Sequence, residues 1–270
     1  KQEYLMFAMD MDAGCRLGLP AQEKQIGEPL RLGPLLLELE GERVIGCTPD
    51  IGFLHSGFEK LGEHLDYNQY VTVTDRMNYI SPMANNIAWH HACEKLFGIE
   101  ITPRCKAIRT IIAELARLQD HLLCVGAAAL DLGAMTAFLY GFNEREDIND
   151  LFEEVCGARF TTSYTRVGGL MQDIPPEWPE HVKAFARKLP RAIDDLDRLL
   201  TKNRIFIERT KGIGYLSEAD AIQWGLTGPV ARASGVRRDL RKDEPYLCYA
   251  DNWDGKGSSG VSFKVPISRL

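Results

Sequence analysis

The sequence has no CxxC pair, no HExxH, no basic tail and no apolar run long enough to span a bilayer, and each absence removes a class of function. Its seven cysteines, Cys15, Cys47, Cys93, Cys105, Cys124, Cys156 and Cys248, are widely spaced and odd in number. That pattern disfavours a disulfide framework, and also a thiolate-held cluster within this chain alone; it fits a reducing compartment. Acidic residues outnumber basic ones, 38 to 32, for a net charge of -6, which argues against nucleic acid as a partner. A membrane-spanning helix needs about 20 apolar residues. The longest weakly polar stretch, Leu122–Leu132, is shorter and is interrupted by Asp131. No signal peptide is read at Lys1. A soluble arm resting on a membrane partner is compatible with all of this.

What is present is mostly helical periodicity. The first 25 residues show no sustained period and read as loop. Residues 34–48 read as a hairpin: Leu35, Leu37 and Leu39 alternate with Glu38 and Glu40, and Gly41 supplies the turn freedom before Val44 and Ile45. A helical stretch follows near 56–66. Ser81 and Pro82 then open another helix, with Ser81 as cap, Pro82 at the first helical position and Gly98 as the stop. Pro103–Leu130 carries an apolar stripe at helical spacing: Ile108, Ile111, Ile112, Leu115, Leu118, Leu122 and Val125. Arg109, Glu114, Arg117 and Asp120 lie mostly off it. At 1.5 Å per residue such a helix is roughly 38 Å long and must be the spine of a bundle. Helices are also expected over Asn143–Val155, over Pro179–Thr201 with Pro190 as a kink or split, and near Asn203–Arg209 and Ser217–Trp224. VSFKVPI reads as a strand. The fold class is α+β, a mainly α-helical bundle with long central helices and a small N-terminal antiparallel sheet. We expect one domain over 1–270, with loop and hairpin over 1–50, a helical core over 51–249, and 250–270 opening a further C-terminal segment.

Few residues announce chemistry. His90-His91 precede Glu94, but adjacent helix residues face different ways, so surface and packing histidines are the simpler reading and no metal site is expected. Asp131 ends a long apolar helix, either as a turn residue or as an orienting acid for a histidine or tyrosine. Tyr79, just ahead of a helix start, is a packed aromatic unless its hydroxyl faces a cavity, where it can donate a proton. SYTRVGG reads as a tight structural turn.

The longer motifs add a resemblance. GERVIGCTPDIGFLHSGFEK, DRMNYISPM, ACEKLFGIEITPR, IRTIIAELARLQDHLL, LDLGAMTAFLYGF, REDINDLFEEVCGARF, SYTRVGG, LTGPVARASGV and DLRKDEPY occur in the order seen in the D-type quinone-site subunit of respiratory NADH:quinone oxidoreductase. The resemblance covers nearly all of 28–270. That family shares its module with the large subunits of nickel-iron hydrogenases, so the resemblance implies a hydrogenase large-subunit-like fold. The hydrogenases carry a CxxC in the segment that looks like DRMNYIS, where this chain has Asn78 and Ser81. Soft thiolate ligation of nickel therefore fails, and the quinone enzyme is favoured.

The resemblance further implies that Tyr79 bonds the quinone headgroup and that Asp131 supports the site. His55, in FLHSG, is the one histidine in an adjacent family motif and is a candidate headgroup ligand. Quinone is then the substrate, while NAD and a 4Fe-4S cluster belong to partner subunits, with none bound by this chain. The implied partners are the 4Fe-4S small subunit, other peripheral-arm subunits and membrane-arm subunits. The implied location is peripheral, on the cytoplasmic face of the cell inner membrane or the matrix face of the mitochondrial one. Three positions depart from the pattern. Leu30 stands where the family has a histidine that partners the aspartate, in a loop ahead of the first strand. Thr161 replaces a histidine thought to lie near the terminal cluster, and Ser56 replaces an arginine. Because the family continues beyond VSFKVPISRL, the chain reads as a fragment. A non-catalytic scaffold, or a module of a ferredoxin- or deazaflavin-linked oxidoreductase, is the competing expectation.

Overall fold

The computed structural model describes residues 30–32, 35–49, 51–52, 55–250 and 263–268. Two compact units are distinguished, one ending at His64 and one running from Leu65 onward.

In the smaller unit, strands β1 (Leu30–Leu32), β2 (Leu35–Glu40) and β3 (Arg43–Pro49) form an antiparallel sheet in that order. Leu35, Leu37 and Leu39 are half-buried while Glu38 and Glu40 are exposed, as period-two alternation requires. Gly41 takes φ 64°, the left-handed conformation a tight hairpin needs. The register shifts between Glu38 and Leu39, a bulge that the hairpin pattern did not reveal. Strand β1 is also new: Leu30, expected in a loop, pairs with Leu37 in a ladder. A short helix α1 (Phe58–Gly62) replaces the longer stretch expected over 56–66.

The larger unit is helical. After α2 (Val71–Thr74), three long helices follow: α3 (Pro82–Phe97), α4 (Pro103–Asp131) and α5 (Met135–Cys156). Pro82 and Pro103 stand at helix starts, where a missing N–H costs nothing. Thr102 caps α4 by accepting from Cys105 N at 3.2 Å. Ser81 stands at the N-cap of α3 without capping through its side chain; its Oγ accepts instead from Asn78 Nδ2 at 2.8 Å. Gly98 ends α3 in the left-handed region, φ 67°.

Helices α4 and α5 form a hairpin closed at Leu132–Ala134. Gly133, φ 87°, donates to Leu130 O and Ala134 to Ala129 O, the paired bonds of a Schellman stop. A two-stranded hairpin, β4 (Thr165–Arg166) and β5 (Gly169–Leu170), follows α5. Helix α6 (Trp178–Leu200) packs on α5 and runs through Pro190 without splitting. Pro190 lies on its exposed face, where water can satisfy the carbonyl it frees. Shorter helices α7 (Arg204–Thr210), α8 (Glu218–Gln223), α9 (Gly228–Ala233) and α10 (Leu240–Asp243) complete the order, with a 3-10 turn at Leu247–Tyr249. Asn203 and Ser217 cap α7 and α8 as expected of those residue types.

The core joins Ile108, Ile112, Leu115 and Leu122 of α4 to Ile148 and Phe152 of α5, and Trp178 and Phe185 of α6. Two members of the expected α4 stripe, Ile111 and Val125, are exposed instead. Residues 263–268 form no strand, contrary to the reading of VSFKVPI; Phe263 packs on Tyr249 and lies 4.1 Å from the Arg241 guanidinium. The loop expected over the first 25 residues lies outside the described residues.

Candidate functional site

Tyr79 lies on the turn between α2 and α3, half-buried, and that turn is fastened at both ends. At its start, Asp75 is fully buried and accepts from Asn86 Nδ2 of α3 at 2.8 Å. Asn86 is held in turn by Thr74 Oγ1 at 2.8 Å. Near its end, Asn78 and Ser81 satisfy each other, and Asn85 Nδ2 donates to Asn78 O at 3.2 Å. Tyr79 faces Phe160, with ring centroids 6.4 Å apart and a 38° tilt. The phenol has no hydrogen-bond partner among the described residues, so its donor is available.

Asn78 and Ser81 are the positions that resemble the hydrogenase thiolates. An amide and a hydroxyl bonded to each other are poor ligands for a soft metal. Among the described residues, no three His, Cys, Asp or Glu side chains are grouped so as to hold a metal ion.

Beneath the loop, Asp120 of α4 is half-buried beside Asn78. Burial pushes its carboxyl above the usual range, against the opposing pull of His121, the Asn78 amide and the guanidiniums of Arg145 and Arg117. Arg145, on α5, is 5% exposed and has no ion pair or hydrogen bond among the described residues; its guanidinium lies 4.6 Å from the Phe142 ring. The sequence reading did not single out Asp120 as a site residue, and nothing in its spacing distinguishes it from a surface acid.

Asp131 stands in the last turn of α4 and is exposed. Partial burial alone raises its carboxyl pKa. A carboxylate there meets the negative end of the helix dipole, whose last carbonyls are partly compensated by Arg209, its Nη1 donating to Leu132 O at 2.8 Å. Eleven residues separate it from Asp120, about 16 Å along the helix axis at 1.5 Å per residue. The described contacts do not join Asp131 to Tyr79. His55 is exposed in the smaller unit, its backbone N–H donating to Gly52 O at 3.1 Å. Ser56 is exposed beside it. Leu30 lies in β1.

A second polar cluster secures the SYTRVGG hairpin, which is a structural turn as expected. Arg109, 0% exposed, forms a bidentate pair with Glu94, 3% exposed, at 2.8 Å through both nitrogens. Arg109 also donates to Arg166 O and Gly169 O, and Gly168 N donates to Glu94 Oε1. His90 Nδ1 lies 2.7 Å from Thr165 Oγ1 and its ring packs inside, while His91 is exposed at the surface. Burial, with the Arg109 guanidinium adding to it, pushes the His90 pKa down to about 4.

A mainly helical core with a small antiparallel sheet, its long helices joined by polar loops, defines the chain as a hydrogenase large-subunit-like module. The model of the 49 kDa subunit of respiratory-chain NADH dehydrogenase matches residues 131–267, and the chain belongs to that family. It is 50% identical over 263 residues to the D-type NADH-quinone oxidoreductase subunit of Methylacidiphilum infernorum (isolate V4), covering 94% of this chain and 60% of the relative. It is 52% identical over 213 residues to a D-type NADH-quinone oxidoreductase subunit of Opitutus terrae, covering 79% of this chain and 50% of the relative. The C/D-type NADH-quinone oxidoreductase subunit of Bdellovibrio bacteriovorus is 46% identical over 249 residues, 88% of this chain and 43% of that protein. The chain thus spans between two fifths and three fifths of the length of these relatives.

Proposed function

We propose that this chain helps to form the quinone-reduction site of a proton-translocating NADH:quinone oxidoreductase, with Tyr79 donating a hydrogen bond to one carbonyl of the headgroup. The observation that carries the reading is Tyr79 itself: a half-buried phenol on a doubly fastened loop, with its hydroxyl unclaimed among the described residues. Family membership and relatives called NADH-quinone oxidoreductase support the reaction class.

Electrons arrive one at a time from a 4Fe-4S cluster on a partner small subunit, and NAD is handled by other peripheral-arm subunits. This chain supplies positioning and protons. Asp131 orients or charge-tunes the site from a distance, acting through an intermediary such as water rather than on the carbonyl that Tyr79 holds. No described helix is long and apolar enough to cross a membrane, which supports a peripheral position against membrane-arm subunits, on the cytoplasmic or matrix face.

Tyr79→Phe in the assembled complex tests the role, because it keeps the ring and removes only the hydroxyl. Loss of a hydrogen bond worth about 1–2 kcal/mol lowers quinone turnover per KM about tenfold. Unchanged turnover and apparent quinone affinity would refute direct donation. A second reading is favoured by one residue: Leu30, standing where the family has histidine, can neither hydrogen-bond nor move a proton. If the wild-type complex fails to reduce quinone, the chain is a scaffold.

A further inference from the structure

We propose that Asp75 is a positioning residue for the Tyr79 site, a buried bolt that holds the 160–163 loop, and Phe160 with it, against the Tyr79 loop. The inference rests on the reading of Tyr79 given above.

The 160–163 loop is locally unfavourable. Thr161 and Ser163 are in the left-handed region, φ 46° and 42°, which non-glycine side chains avoid and which for β-branched threonine is an outlier. Between them, Thr162 is 4% exposed and its Oγ1 has no partner among the described residues. Two disfavoured backbones and one unsatisfied hydroxyl persist only when contacts from outside the loop over-determine it.

Asp75 supplies those contacts. Its Oδ1 accepts from Ser163 N at 3.3 Å and its Oδ2 from the Ser163 hydroxyl. Oδ1 also accepts from Asn86 Nδ2, so the carboxylate ties the end of α2, helix α3 and the loop at one point. Asp75 is 0% exposed and faces no cation among the described residues. A buried carboxylate survives that way only with its lone pairs occupied, so the donors need Asp75 and Asp75 needs the donors. Arg166 Nη1, donating to Ser163 O, braces the same residue from the hairpin side. Phe160, three residues before Ser163, is the aromatic wall beside Tyr79, and it is 41% exposed. Freed from Asp75, the loop relaxes out of its left-handed turns and takes that wall with it.

The test compares Asp75→Ala, Asp75→Asn and Ser163→Ala with Tyr79→Phe in the assembled complex. Two readouts are taken: apparent quinone KM against kcat, and hydrogen exchange of the backbone amides of 158–164. Asp75→Asn can still accept from Asn86 Nδ2 and Ser163 N and can donate to Ser163 Oγ, so it stays near wild type. Asp75→Ala removes all three contacts; KM rises about tenfold with a smaller loss of kcat, as expected when a binding wall shifts by a fraction of an ångström. Exchange in 158–164 speeds up in Asp75→Ala and not in Asp75→Asn. Ser163→Ala, which loses only the hydroxyl, lies between and serves if Asp75→Ala does not assemble. A variant set that changes only the yield of complex, with KM constant, overturns the inference. So does unchanged exchange at 158–164, whatever Tyr79 does. A neutral Tyr79→Phe overturns the functional reading instead.

Discussion

His90 has both edges of its ring inside the protein, yet only Nδ1 has a described partner. Its neighbour Arg109 is already committed to Glu94, so a proton on His90 would be a second, uncompensated positive charge in the same pocket. The neutral ring is therefore part of the native state, with a pKa of about 4 against an ordinary 6.5. The consequence for stability has a definite sign. Below pH 6.5 the unfolded chain takes up a proton that the native chain refuses, so stability is full above 6.5 and falls as the pH drops toward 4. At 1.36 kcal/mol per unit the full loss is about 3 kcal/mol. Urea unfolding of the protein between pH 7 and pH 4 measures it. His90→Gln keeps a neutral polar side chain and should show a distinctly shallower decline; equal slopes would mean that His90 is not the group responsible.

Helices α4 and α5 approach through glycine. A Cβ added to Gly141 would lie 3.0 Å from Leu122 O, and one added to Gly126 would lie 3.4 Å from Phe138 Cα. Both neighbours are backbone and cannot swing aside. Gly141→Ala should therefore cost about 1–3 kcal/mol through overpacking, beyond any gain in helix propensity, and Gly126→Ala less. Thermal unfolding of the two variants checks the order; a stabilised Gly141→Ala would show that the helices separate freely. Such close crossings are invisible in a single sequence, because the same glycines read only as weak points in a helix. Elsewhere the elements were legible where chemistry is local. Pro82, Gly98, Pro103, Asn203 and Ser217 mark helix ends through their own backbone or side-chain preferences. Periodicity failed where a tertiary partner decides. Arg109 looked like a surface residue of α4 and is buried, because Glu94 on α3 and two hairpin carbonyls receive its guanidinium. Helix α5 begins at Met135 rather than near Asn143, since Gly141 and the aromatic run before it hid a continuous helix. At the site, Tyr79 was visible only through motif order. Asp75 was not visible at all, since its role depends on Ser163, 88 residues away.

Across the whole chain, the chemistry that the hydrogenase-like module can host is set by what replaces thiolates. Nickel in a soft site requires sulfur donors at fixed geometry. Here the corresponding pair is Asn78 and Ser81, with Asn78 Nδ2 donating to Ser81 Oγ at 2.8 Å; an amide and a hydroxyl are hard donors, unsuited to a soft metal. The described cysteines, Cys47, Cys93, Cys105, Cys124, Cys156 and Cys248, are free thiols dispersed over both units. Burial raises the pKa of Cys93, Cys105, Cys124 and Cys156, which disfavours the thiolate form. The hydrogen bond between Asn78 and Ser81 helps to hold the Tyr79 loop. Two measurements follow on the purified chain. Metal analysis should find neither iron nor nickel at stoichiometric level, before or after anaerobic incubation with iron and sulfide. Restoring the thiolate pair with Asn78→Cys and Ser81→Cys together should create affinity for a thiophilic divalent ion such as zinc or cadmium, while loosening the Tyr79 loop that the amide-to-hydroxyl bond now holds. Stoichiometric iron or nickel in the unmodified chain would show that a metal site is built from ligands these contacts do not bring together, and would return the module to the metal-binding side of its relatives.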